Sequence, residues 1–227
     1  MTNQNNAKKL AGEASLEYVK DGMTIGLGSG STVYWMIRKL GEHIKNGLDV
    51  KGIPSSRQTQ NWANEFGVPL TDFAKTQTLD IAIDGADEVD QGWHLIKGGG
   101  GALVREKIIA AAAREFVVIV DESKTVSRLG DFKLPVEILP FGWEVTAERI
   151  TGLDGTPVIR RNADGDIFVS DNGNYIVDCD FGMIHEPKTL QQQLKQLTGV
   201  VDTGLFVGMA DEIIVGYSDR ASVLSKK

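Results

Sequence analysis

Between residues 79 and 107 the chain gathers side chains suited to proton transfer. Asp84 and Asp87 bracket a Gly-Ala pair. Lys97 precedes four consecutive glycines, Gly98, Gly99, Gly100 and Gly101, and Glu106 follows between Arg105 and Lys107. The apolar run 79–83 reads as a buried strand that delivers the aspartates to its carboxyl end. In open α/β sheets that end is where ligands bind. A pair of acids, a further carboxylate and a cation brought there imply acid–base chemistry on a small anionic substrate.

Each residue has its own reading. Asp84 and Asp87 can move hydroxyl protons of a substrate, or can simply cap a turn. The glycines cost backbone entropy, which is reasonable where main chain must approach a ligand or aim its amides at an anion. Lys97 is the point charge beside them, unless the loop is flexible and the lysine solvated. Glu106 stands about one turn into the helix after the glycines, where a carboxylate also suits the helix dipole. Glu88 and Asp90 read as solvated turn residues, and Arg105 and Lys107 as surface or ion-pair groups. Upstream, Gly28-Ser29-Gly30-Ser31-Thr32 joins a strand to a helix. Glycine turns, hydroxyls and unpaired helix N–H groups make a phosphate cradle, with a serine N-cap as the plainer reading. It lacks the Gly-Lys-Ser/Thr of a Walker loop, and Ser31 breaks the dinucleotide glycine spacing. Lys124 follows the apolar strand 116–120, where it can reach a sugar oxygen or phosphate or stand as an exposed loop lysine. Lys8 can help hold phosphate.

Positioning these groups requires alternating elements. Helical spacing covers 7–20, 32–45, 56–66 and 101–114. Apolar strands are expected at 23–27, 49–53, 79–83 and 116–120. Strands apolar on both faces, alternating with helices, predict an α/β fold with a mostly parallel sheet flanked by helices. From about residue 131 the pattern changes. A strand at 136–139 lies between Pro135 and Pro140, a helix at 143–153 follows, and alternating strands appear at 157–161, 166–170 and 175–180. A helix at 187–198 and a strand near 201–207 complete a compact ferredoxin-like α+β insert. The strand 212–216 returns to the main sheet. The expected domains are 1–130 plus 208–227, and 131–207.

Composition narrows the function. The 227 residues carry a formal net charge of -7, which disfavours nucleic acid or an anionic membrane as partner. The start of the chain is polar, without a signal-peptide core, and no apolar run approaches the ~20 residues of a membrane span. The lone cysteine, Cys179, excludes an intrachain disulfide and fits a reducing cytoplasm. His43, His94 and His185 show no metal-ligand spacing. Trp35, Trp62, Trp93 and Trp143 read as packing groups.

Taken together, Lys8-Lys9, the 28–32 turn, Asp84-Gly85-Ala86-Asp87-Glu88, Lys97 with its glycines, Arg105-Glu106-Lys107, Asp121-Glu122-Ser123-Lys124 and Leu134-Pro135-Val136-Glu137 resemble ribose-5-phosphate isomerase type A over nearly the whole length. The resemblance implies a Rossmann-like main domain with a small α+β lid, a homodimer or dimer of dimers, and cytoplasmic pentose phosphate metabolism. Proton transfer by these groups requires no metal and no organic cofactor. The resemblance places the catalytic base on Glu106, the catalytic lysine on Lys97 and the paired acids on Asp84 and Asp87. Phosphate and sugar contacts fall on Ser29, Gly30, Ser31, Thr32, Gly98, Gly99, Gly100, Lys124 and Lys8. Ser29 stands where many relatives have threonine, keeping the hydroxyl. Two other classes compete with this reading. A coenzyme A transferase would form a thioester on a glutamate, and a sugar-phosphate sensor would need a DNA-binding segment for which this chain has no spare length.

Overall fold

The computed structural model describes residues 2–224. In chain order the first elements are α1 (Asn3–Ala14), β1 (Thr24–Leu27), α2 (Ser31–Lys45), β2 (Lys51–Pro54), α3 (Arg57–Phe66) and β3 (Ile81–Asp84). Then come β4 (Glu88–Val89), β5 (Leu95–Ile96), α4 (Leu103–Ala112), β6 (Phe116–Asp121), β7 (Leu134–Ile138), α5 (Trp143–Thr151) and β8 (Thr156–Ile159). The chain ends with β9 (Tyr175–Asp180), α6 (Pro187–Gln196), β10 (Val200–Thr203), β11 (Leu205–Phe206), β12 (Glu212–Gly216) and β13 (Ala221–Val223). These form two compact units, one of residues 1–86, 105–125 and 209–227, the other of 87–104 and 126–208. Segment 87–104, assigned from sequence to the main domain, thus groups with the second unit.

The first unit is built on a six-stranded sheet in the order β13-β12-β6-β3-β1-β2. All neighbours are parallel except the edge strand β13. The strand order reverses between β1 and β3, which makes the crevice at their carboxyl ends the topological switch point. In register Leu27 opposes Ile83, so Gly28 and Asp84 leave the sheet side by side. Helix α2 buries Val33, Met36, Ile37 and Leu40, a spacing that makes one apolar face. That face packs with Ile25, Leu27, Ile81, Ile83, Val117 and Ile119. Helix α3 starts on Ser56, whose hydroxyl accepts the Thr59 N–H at 3.1 Å, and stops at Gly67 in the left-handed conformation.

In the second unit β7-α5-β8-β9-α6-β10 forms an antiparallel sheet in the order β10-β7-β9-β8. With the strands counted one to four along the chain, this is the 4-1-3-2 order of the expected ferredoxin-like insert. Its core holds Leu134, Val136, Ile138, Val177 and Cys179 from the strands and Ile150 and Leu194 from the helices. A small antiparallel sheet, β11-β5-β4, completes the unit. Among the described residues no helix is long and apolar enough to cross a membrane.

Four local expectations are corrected. Helix 7–20 begins earlier, on Thr2 as N-cap, and gives way after Ala14 to a 3-10 turn at Ser15–Tyr18. Residues 166–170 are not a strand and make only the isolated bridges Arg161–Ile167 and Val169–Tyr175. Here Val169 is exposed and Ser170 buried, the reverse of the hydrophobic alternation, because Ser170 bonds a buried carboxylate. The strand near 201–207 breaks at Gly204, where a Cβ would lie 2.3 Å from the Lys97 carbonyl oxygen. Pro135 lies inside β7, opposite Asp178, rather than before it, and its carbonyl accepts the Gly204 N–H at 2.7 Å.

The carboxylate that draws Ser170 inward is Glu137 of β7, itself fully buried. One oxygen accepts from the Ser170 hydroxyl at 3.0 Å and from the Asn172 and Asn174 side-chain amides at 3.0 and 2.8 Å. It therefore holds the turn between residues 170 and 175 to the middle of the sheet. Glu137→Ala is expected to lower the free energy of unfolding in urea by about 2–4 kcal/mol, because it strands buried donors. Glu137→Gln keeps an acceptor oxygen and should lose less than half as much. Equal losses for the two variants would show that side-chain volume, not the acceptor, is what matters there.

Candidate active site

In the first unit the site is assembled at the carboxyl ends of β1 and β3. Asp84 ends β3, and its Oδ1 accepts the N–H groups of Ser29 at 2.9 Å and Gly85 at 2.7 Å. The Gly28 N–H donates to the Ile83 carbonyl at 2.9 Å. A Cβ on Gly28 would lie 2.1 Å from the Asp84 carboxyl carbon, so only glycine lets the turn pass the acid. Gly30, at φ 106°, then starts α2, and no side chain caps that helix. Its first N–H groups, at Ser31 and Thr32, are therefore presented to solvent or an anion.

The Ser29 hydroxyl, offered to phosphate by the sequence, turns inward instead. It lies 2.8 Å from the hydroxyls of Ser55 and Ser56 and 3.1 Å from that of Thr59. Thr59 donates in turn to the Gly28 carbonyl at 2.7 Å. Ser55, Ser56 and Thr59 thus brace the turn from behind. Thr59 was not singled out from the sequence. The one local signal was the Ser-x-x-Thr spacing at the start of α3.

Three other expected residues belong to this unit. Glu106 is buried in the first turn of α4. Ile109, one turn further along the same face, packs over Gly26 of β1, where a Cβ would come within 2.3 Å of it. Glu106 therefore points along the sheet-facing side of α4 toward the carboxyl end of β1. Lys124 ends the 3-10 turn Glu122–Lys124, capped by Asp121, whose Oδ1 accepts the Ser123 N–H at 3.1 Å and also the Ser123 hydroxyl. Lys8 stands on α1, which docks at the end of β12 through an Asn6 side-chain bond to the Ser218 carbonyl at 2.7 Å.

In the second unit the β4–β5 hairpin sets Asp87 beside Lys97. Asp87 donates its N–H to the Ile96 carbonyl at 2.8 Å, just beyond the pair Glu88–Ile96. Lys97 is buried, its N–H bonded to the Gly204 carbonyl at 2.9 Å and its ammonium 5.5 Å from the centre of the Phe206 ring. The Asp87 Oδ2 accepts the Gly99 N–H at 2.8 Å, tying the acid to the glycine loop. Gly98 and Gly101 hold φ of 101° and 82°, and Gly101 donates to the Gly98 carbonyl at 2.9 Å. The reading of Glu88 as a solvated turn residue is corrected. It is buried, and its two oxygens accept the Gly130 and Phe132 N–H groups at 2.8 and 2.6 Å. Asp90 does sit in a turn, accepting the Gly92 and His94 N–H groups, each at 2.8 Å.

Cys179 is buried in the sheet, and burial pushes its thiol far above the ordinary range, so it is a packing residue and not a nucleophile. Among the described residues no group of three or more His, Cys, Asp or Glu side chains is placed to hold a metal ion.

Comparison with known proteins identifies the family. Residues 51–220 match the family model of ribose 5-phosphate isomerase A (phosphoriboisomerase A). The ribose-5-phosphate isomerase A 1 of Oceanobacillus iheyensis is 57% identical over 221 residues, 97% of this chain and 98% of the relative. A solved D-ribose-5-phosphate isomerase in complex with phospho-erythronic acid is similar with a TM-score of 0.95 at 37% identity, over 99% of this chain and 100% of the other. Ribose 5-phosphate isomerase A from Methanocaldococcus jannaschii gives 0.93 at 38% identity, again over 99% and 100%. On sequence and on fold alike, over nearly its full length, the chain belongs to the ribose 5-phosphate isomerase A family.

Proposed function

We propose that the protein is an aldose–ketose isomerase that interconverts D-ribose 5-phosphate and D-ribulose 5-phosphate through an enediolate. The observation that carries this reading is the burial of three ionisable side chains, Asp84, Glu106 and Lys97, at 4%, 5% and 2% exposure. Charged groups are rarely buried to that extent without a function or partners to compensate. Here each is one of the residues the family resemblance assigns to catalysis.

The chemistry follows from the groups available. Phosphate binds the uncapped start of α2 at Gly30, Ser31 and Thr32, with Lys8 and Lys124 supplying charge. Anchoring that end holds the reacting carbons in position, which lowers the entropic part of the barrier. Asp87 assists ring opening by taking up a hydroxyl proton. One of its oxygens is held by Gly99, so the other is aimed rather than free to swing. Asp84 is the second acid able to serve. Glu106 removes the proton from C2 and returns it to C1. Meanwhile the C2 hydroxyl loses its proton and the C1 carbonyl oxygen gains one, so no atom is added or lost. Negative charge builds on the carbonyl oxygen in between, where Lys97 and the glycine-loop amides stabilise it. The relative bound to phospho-erythronic acid supports this, since that ligand joins a phosphate to a carboxylate on a four-carbon chain. We further infer a cytoplasmic enzyme working as a homodimer or dimer of dimers. The exposed apolar residues Leu139, Phe141 and Val145 offer a surface for a second copy.

Purified protein should convert ribose 5-phosphate to ribulose 5-phosphate, and absence of turnover would end this reading. Glu106→Gln keeps size and polarity but cannot accept the C2 proton. It should lower kcat by roughly 10²–10⁴ or more, with substrate binding largely retained. Turnover within about tenfold of wild type would exclude Glu106 as the base.

Lys97 gives a separate prediction. A planar anionic mimic of the enediolate, a four-carbon phosphorylated hydroxamate, should bind more tightly than ribose 5-phosphate. Calorimetric titration should show that advantage shrinking sharply in Lys97→Ala while substrate affinity changes less. Equal weakening of both ligands would make Lys97 a general anion anchor instead.

A further inference from the structure

A residue outside the expected catalytic set grips the glycine loop. Arg160, just beyond β8, donates from Nη1 to the carbonyls of Gly98 at 2.9 Å and Gly99 at 3.1 Å. The rest of its guanidinium is a fork on Asp178 of β9, with Nε 2.9 Å from Oδ2 and Nη2 bonded to Oδ1. Phe168 lies under the guanidinium, 5.8 Å from ring centre to Cζ. The same ring closes on Gly101, where a Cβ would lie 2.5 Å from it. Arg160 is thus held by the Asp178 carboxylate and the Phe168 ring where it meets the loop.

The consequence follows from peptide geometry. The chain has no cis peptide among its described residues, and a trans peptide holds its carbonyl and N–H on opposite sides. The Gly98–Gly99 peptide is fixed from both ends, its carbonyl on Arg160 and its N–H on the Asp87 carboxylate. In the next peptide the Gly99 carbonyl is also on Arg160. The Gly100 N–H must then point away from the guanidinium. It makes no hydrogen bond to any described residue, and Gly100 is exposed.

We infer that Arg160, held by Asp178, is a positioning residue that fixes the glycine loop so that the Gly100 N–H serves as a preorganised donor to the oxyanion of the intermediate. This rests on the isomerase reading above. Donors aimed beforehand at developing charge need no reorganisation during the reaction. Lysine cannot replace arginine in this role, because one ammonium cannot match the carboxylate fork and two carbonyls together.

The test has one arm on the wild type and one on variants. In the ¹⁵N-labelled wild type, saturation with the four-carbon phosphorylated hydroxamate should move the Gly100 amide proton strongly downfield and slow its hydrogen exchange. An unmoved Gly100 amide with the mimic bound overturns the inference. For Arg160→Met and Arg160→Lys, kcat should fall about ten- to a hundredfold, the range for a misaligned or lost oxyanion donor. KM should stay within about threefold, because binding common to substrate and transition state is untouched. Asp178→Asn should lose activity in the same direction by less. Thermal unfolding identifies any variant that has not folded, and the wild-type arm decides the matter if none does. Wild-type kcat in Arg160→Lys would mean that charge alone suffices and would overturn the alignment role. A Gly100 amide that responds to the mimic in a protein without isomerase turnover would support the donor and refute the isomerase reading.

Discussion

The two hydrogen bonds that Asp84 accepts from Ser29 and Gly85 fix most of the geometry around them. A carboxylate this deep needs donors, and main-chain N–H groups are those nearest the end of a parallel strand. Meeting that need draws the turn after β1 against the end of β3, which is possible only because Gly28 has no Cβ to collide with the acid. Once the turn is drawn in, Gly30 must adopt a positive φ for α2 to begin where it does. The start of α2 is thereby left without a cap and faces the switch point. The hydroxyls of Ser55, Ser56 and Thr59 then close the rear of the turn. An uncapped helix start and a buried acid are one construction here.

Carboxylates in the second unit divide by what holds them. Glu88 is spent on two backbone N–H groups, and Glu137 receives a hydroxyl and two amides. Both act as internal staples for segments with little regular structure, residues 130–132 and 170–174. Asp87 differs in bonding a single loop N–H, that of Gly99, and in lying beside Lys97 at the open end of a hairpin. Side-chain type does not separate these roles. The number of donors already committed to each carboxylate does.

That difference explains what was legible in the sequence. Helices with one apolar face, such as α2, and strands apolar on both faces, such as β1 and β6, declare themselves by period and run length. The order β-α-β-β-α-β likewise showed the second sheet. The roles proposed for Glu106, Lys97, Asp84 and Asp87 rest on combining motifs along the chain, since each residue alone also fits a capping or surface role. Hidden were the features set by distant partners. The two-residue strands β4 and β5 are too short to show any period, and Ser170 is buried by a glutamate 33 positions away. Arg160 read as an ordinary strand residue, because its targets are carbonyls 61 and 62 positions earlier in the chain.

The four glycines after Lys97 show where folding requirements stop and ligand requirements begin. Gly98 and Gly101 have positive φ, so the turn itself excludes most side chains. Gly99 could adopt an ordinary conformation, but its Cβ would lie 2.7 Å from an Asp87 oxygen. Gly100 has neither constraint. Its φ is not positive, and a Cβ there would have nothing within 4 Å. Alanine at that position would fit the fold and would restrict the unfolded chain more than glycine does, which ordinarily stabilises by about 0.4–1 kcal/mol. A glycine that the fold does not require, at an exposed position whose N–H is aimed and unbonded, is accounted for by what must come close to it. If the Gly100 N–H has the donor role proposed for it, the space that Gly100 leaves open for a side chain is where the substrate oxygen would approach.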